Sequence, residues 1–187
     1  MCRRDQLRDS NAAQIEQSIW RWLDDIVIGE NFCPFAWQPR HNNAIQLRVL
    51  DGKSQENTLD SVLFEMQWLL EHEQISTSIL VLNSGYENFY EYLDLLDLVD
   101  ALIETEGFSG VFQCASFHPN YIFADEDIND VSHYTNRSPF PLLHLLREKD
   151  ITNALTSFTH PENIPTRNKK HARALGESFF KRYILNP

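Results

Sequence analysis

Residues 110–148, GVFQCASFHPNYIFADEDINDVSHYTNRSPFPLLHLLRE, decide how the fold is read. The stretch opens as an apolar strand over 111–117 and leaves it at His118-Pro119, where proline stops further ladder bonds. A long irregular segment follows. Ser138-Pro139 then carries helix-start chemistry, a hydroxyl to cap free amides and a proline at the first helical position. The sequence therefore predicts a helix near 139–149 and makes 111–117 the last strand.

Upstream, SILVLN at 78–83 is almost continuously apolar, as an interior strand buried on both faces must be. Ile45, Leu47 and Val49 alternate with Gln46 and Arg48, the period of an edge or half-exposed strand. Between the strands, apolar residues recur at helical spacing: Ile15, Ile19, Trp22, Leu23 and Ile26 between Asn11 and Gly29; Leu59 to Leu70; and Leu95 to Ile103, opened by Asn88 and Glu91 and stopped near Gly107. A last helix is predicted over 166–183. Helices alternating with three strands on short connections predict an α/β domain with a small, mainly parallel three-stranded sheet, flanking helices and a helical C-terminal region. The alternative is an α+β domain with a mixed sheet.

The 187 residues, 42% hydrophobic and 23% charged, suit one globular domain over 1–187. A net charge of −11 opposes general attraction to nucleic acid. The basic residues Arg167, Lys169, Lys170, Arg173, Lys181 and Arg182 read as a solvated helix face, with specific anion binding as the other reading. MCRRDQLRDS lacks an apolar leader core and no later run is long enough to span a bilayer, so a soluble, cytoplasmic protein is expected, with no membrane partner. Cys2, Cys33 and Cys114 show no paired spacing, so neither a disulfide framework nor a structural zinc is expected.

The candidate site gathers around the same 110–148 stretch. At the carboxyl end of a parallel strand, His118 stands where open α/β sheets hold ligands, and Asn83-Ser84-Gly85-Tyr86 is expected at the same sheet edge. Repeated glycines are missing there, which rejects a nucleotide loop. On a helix starting at Ser138, His144 and Arg147 share a face beside Arg137, an arrangement fitted to a phosphate or carboxylate. The competing reading has Arg137 and Arg147 paired with Glu148, Asp125, Glu126, Asp127 or Asp130, locking the loop. Cys33 in NFCPFA is a candidate nucleophile if a histidine lies near, and otherwise a small buried apolar group. The spacing of His118, His133 and His144 matches no compact metal motif, and no cofactor is expected.

CPFA at 33–36, FQCASFHPNYIFA at 112–124 and TNRSPFPLLHLLRE at 135–148 together resemble the bacterial family called domain of unknown function 1415, over nearly the whole chain. The resemblance implies motif positions at Cys33, His118, Asn136, Arg137, Ser138, His144, Arg147 and Glu148, and no activity. The residues themselves suggest a hydrolase or transferase acting on an anionic substrate: Arg137 and Arg147 hold the anion, His118 or His144 moves protons, Asn136 and Ser138 bind, and Cys33 attacks. The alternatives are a non-catalytic module binding an anionic metabolite, and an interaction protein whose polar cluster is structural. His118, Arg137 and His144 are expected to line one pocket. Oligomeric state is not legible.

Overall fold

A computed structural model describes residues 3–156 and 158–184; Cys2 lies outside them. Helix α1 (Arg3–Trp22) runs without a break into a π-helical stretch, Leu23–Ile28, that ends at Gly29. Short α2 (Trp37–His41) leads to β1 (Ile45–Leu50), followed by α3 (Gln55–Glu71), β2 (Thr77–Leu82), α4 (Phe89–Thr105) and β3 (Phe112–Phe117). Then come a 3-10 turn at Val131–Thr135, β4 (Leu142–Arg147), α5 (Glu148–Thr156), α6 (Ile164–Leu175) and α7 (Glu177–Ile184).

The helix starts follow local chemistry. Ser54 caps α3 by accepting the Asn57 amide (3.2 Å), and Asn88 caps α4 by accepting the Tyr90 amide (2.9 Å). Gly107 and Gly176 follow α4 and α6 at φ of +77° and +78°, a conformation that costs glycine little.

The sheet is mixed and four-stranded, in the order β1-β2-β4-β3. β1 and β2 are parallel, and β4 is antiparallel to both β2 and β3. This corrects the expected three-stranded, mainly parallel sheet in favour of the mixed alternative. The segment 139–149, expected as a helix, instead approaches and forms β4. Leu142, Leu143 and Leu145 are buried on both faces, and such a run has no period that separates strand from helix. Pro139 and Pro141 start a strand as readily as a helix.

Each sheet face carries its own core. On one side Ile79, Val81 and Leu142 pack with Ile15, Ile19, Trp22 and Ile26 of the first helical run and with Ala172, Phe180 and Ile184 of α6 and α7. On the other, Leu80, Leu82, Leu143 and Leu145 pack with Val62, Met66 and Leu69 of α3 and Tyr92, Leu95 and Val99 of α4. The domain is thus helix, sheet, helix in layers. Among the described residues, no helix is long and apolar enough to cross a membrane.

Candidate functional site

At the carboxyl end of the parallel pair, the β1–α3 and β2–α4 loops meet backbone to backbone. A Cβ on Gly52 would stand 2.3 Å from the Ser84 carbonyl oxygen, and one on Gly85, at φ +92°, 2.4 Å from that of Gly52. Only glycine permits this crossing. Ser84 Oγ then ties the loops together through Asp51 Oδ1 (2.7 Å).

Beside that crossing lies an open cleft of about 260 Å³, lined by Leu82, Asn83, Ser84, Tyr86 and Glu87 after β2, Pro119 and Asn120 after β3, and Pro139, Phe140 and Pro141 before β4. Its apolar residues are Leu82, Phe140 and three prolines; its polar residues are Asn83, Asn120, Ser84, Tyr86 and Glu87. No lysine, arginine or histidine is in the lining. Asn83-Ser84-Gly85-Tyr86 thus does meet the loop of His118 at one sheet end. The cleft-lining Glu87, Asn120, Phe140 and Pro141 carried no sequence signal, since each is an ordinary loop residue until the fold gathers them, and Pro139, read as a helix start, lines the cleft instead.

His118 is fully buried behind the cleft wall. Its Nδ1 accepts the Asn120 amide (2.9 Å), which leaves Nε2 protonated to donate to the Tyr86 carbonyl (2.9 Å). Burial lowers its pKa, with the Arg137 charge adding to the effect. Packed against Phe89 and Tyr92, the ring is a neutral brace joining two loops. His133, also buried, repeats the device: Nδ1 accepts the Phe123 amide (3.1 Å) and Nε2 donates to the Asp127 carbonyl (2.8 Å).

His144 points to the opposite face, pairing in register with Ile79 and Ala115. Thr77 Oγ1 donates to the Leu145 carbonyl (2.6 Å) and so accepts from His144 Nε2 (2.7 Å). Burial brings the His144 pKa down to about 4. His118 faces the α4 aromatics and His144 the α1 side, so they do not converge, and neither lines the cleft.

The arginines part as well. Arg137 Nε donates to the Tyr121 carbonyl (3.1 Å), its guanidinium lies over the Tyr134 ring (4.6 Å), and its own carbonyl accepts Trp22 Nε1 (3.1 Å). Arg147, at the far end of β4, donates to the carbonyls of Leu69, His72 and Ile75 and closes the C-terminal end of α3. Five strand steps from Leu142 to Arg147 separate that end from the cleft end by about 17 Å. The shared face expected for His144 and Arg147 was a helical relation; in a strand, residues three apart lie on opposite faces.

Ser138 is buried and its Oγ donates to the Phe140 carbonyl (2.5 Å), shaping the turn into β4 rather than capping a helix. Asn136 covers the outer edge of β3: its carbonyl accepts the His118 amide (3.2 Å) and its Nδ2 donates to the Ser116 carbonyl (3.3 Å). Glu148 begins α5. The Cys33 thiol sits against the α1-side core with its pKa raised by burial, against the opposing pull of the Phe35 and Ala36 amides and of Arg167. Cys114 is pushed up to about 12, chiefly by burial.

The loop is locked by ions, though not by the arginines expected. Lys169 binds Asp125 (3.0 Å) and Glu126 (2.8 Å), and Arg173 binds Glu126 (2.7 Å) and Asp130 (3.0 Å). Half of the basic face is thereby held in ion pairs, Lys181 pairing in turn with Glu177 (3.0 Å), while Arg167 donates to the Asn31 carbonyl and Arg182 lies over the Phe179 ring. A further ion pair escaped sequence reading: Glu65, fully buried, receives Arg48 and the Ser78 hydroxyl (2.7 Å). Its signal was present, a carboxylate inside the apolar stripe Val62, Met66, Leu69. Among the described residues, no three His, Cys, Asp or Glu converge as metal ligands.

Residues 14–182 match the family described as protein of unknown function (DUF1415). No curated protein and no solved structure matches the chain.

Proposed function

The chain belongs to the DUF1415 family, and from the geometry of its cleft we propose that it is a non-catalytic binding domain for a small polar ligand, neutral or cationic. The observation that carries this reading is the cleft lining: two amide side chains, the hydroxyl residues Ser84 and Tyr86 and one carboxylate, set between proline and aromatic walls, with no basic side chain. Glu87 contributes the formal negative charge of that lining, and Asp51 stands behind it through Ser84. An ammonium or hydroxyl group is complementary to these acceptors. An anion is not.

A hydrolase or transferase acting on an anionic substrate has less support. It needs a nucleophile and base within reach of each other, whereas His118 spends both ring nitrogens on backbone groups, His144 faces the other side of the sheet, and burial keeps the Cys33 thiol protonated. A module binding an anionic metabolite through Arg137 and Arg147 would need them together, and they serve opposite ends of β4.

Thermal melts of the native protein test the proposal, with ethanolamine, betaine, free amino acids and sugars set against inorganic phosphate and citrate. A ligand held only by the folded state raises the melting temperature by mass action. The expected result is stabilisation by an amine or polyol that is lost in Glu87→Gln or Asn120→Ala. Stabilisation by anions alone, lost in Arg137→Ala and kept in Glu87→Gln, would overturn it.

A further inference from the structure

The sheet has two edges, finished differently. Along β3, Asn136 occupies the outer row, its carbonyl taking the His118 amide and its side chain giving to the Ser116 carbonyl. Among the described residues, β1 pairs only with β2. The carbonyls of Ala44 and Leu50 accept the amides of Ser76 (2.8 Å) and Asn83 (3.0 Å) from the β2 side. Residues of even number therefore turn their backbone groups to β2, and Ile45, Leu47 and Val49 turn theirs outward. Among the described residues, that outward row has one side-chain partner, Gln46 Nε2 against the Leu47 carbonyl at 3.3 Å.

We infer that β1 is the seam of a homodimer in which a second copy of the chain adds its own β1 antiparallel, making one continuous eight-stranded sheet. The occupant follows from self-complementarity. With Leu47 on the two-fold axis, Leu47 meets Leu47 and Ile45 meets Val49 as hydrogen-bonded pairs, so all three outward residues find backbone partners. On the other face Gln46 then stands opposite Arg48 of the second copy, an amide oxygen against a guanidinium.

The neighbouring registers that keep each face with its like are worse. Sliding one way sets Arg48 against Arg48 at the close spacing of a non-hydrogen-bonded pair, where two guanidiniums, each already held by its own Glu65, crowd one another without an acceptor between them. Sliding the other way runs Val49 onto Asn43, whose φ of +52° ends the strand. Phe64, 56% exposed and 5.8 Å from the Arg48 guanidinium, lies on the same flank and gains apolar cover from the second copy. An uncovered edge is otherwise a template for unwanted pairing, and a defined partner removes that hazard.

Sedimentation velocity over a range of concentrations, with residue-resolved amide exchange on the same full chain, tests the seam. The expected result is a dimer in which the amides of Ile45, Leu47 and Val49 are protected and lose protection on dilution, while those of Gln46 and Arg48, bonded to β2, stay protected throughout. Gln46→Lys should weaken dimerisation roughly tenfold or more by facing Arg48 twice across the axis, and Gln46→Glu should preserve or tighten it. A monomer at every concentration, which would leave β1 to an extended segment of another protein, overturns the inference. So does a dimer indifferent to Gln46→Lys, or one whose odd-numbered amides exchange freely.

Discussion

His118 joins the loop after β3 to the loop after β2: its ring accepts the Asn120 amide and donates to the Tyr86 carbonyl, 2.9 Å in each case. The cleft wall therefore depends on an imidazole that must stay neutral, because a protonated Nδ1 has no lone pair for Asn120.

Acid should loosen this protein before its carboxylates titrate. The unfolded imidazole of His144 takes up a proton near pH 6.5, whereas the folded one resists until about 4; His118 is lowered in the same direction. The unfolded state thus binds more protons in that window, so stability is full above about pH 6.5 and falls as pH drops toward 4, by about 3 kcal/mol for His144. Urea midpoints at pH 7.5, 6 and 5 check this. His144→Gln should flatten the slope, and an unchanged slope would remove His144 from the account.

Arg147 should matter for stability and not for ligands. Arg147→Met strips the carbonyls of Leu69, His72 and Ile75 of a charged donor, which should cost about 2–3 kcal/mol. Chemical denaturation measures it, and any ligand-induced rise in melting temperature should survive the change.

Glu65 holds a buried charge that Arg48 and Ser78 satisfy. Arg48→Met leaves that carboxylate without its cation and should destabilise the domain by about 3–5 kcal/mol, whereas the double change Arg48→Met with Glu65→Leu should recover most of the loss. Equal destabilisation in the single and double variants would show that apolar packing, not the charge, dominates there.

The acidic loop over 124–130 is latched to α6 through Lys169 and Arg173. Arg173 beside Asp130 holds that carboxyl well below its usual range. Lys169→Ala with Arg173→Ala should free the loop and bring protease cleavage within 124–130 under conditions where the native chain is resistant. High salt should mimic the variant in part, since these pairs are exposed to screening.

What the sequence by itself determined was local. The unbroken apolar run of β2, the edge-like alternation of β1, the stripes of α3 and α4 and the Asn88 cap all appear in the fold, because period and capping act over a few residues. The meeting of the Asn83–Tyr86 loop with the His118 segment was legible too, as a consequence of where strands end. Tertiary structure alone decided the rest. Leu142–Arg147 became a strand because the gap between β2 and β3 hydrogen-bonds to it on both sides, a condition no window of its own residues contains. The fates of Arg137, Arg147 and the buried histidines were set in the same way. A guanidinium or imidazole joins whichever donors or acceptors folding leaves beside it, and for Arg147 these were carbonyls at and just beyond the C-terminal end of α3, more than seventy residues away.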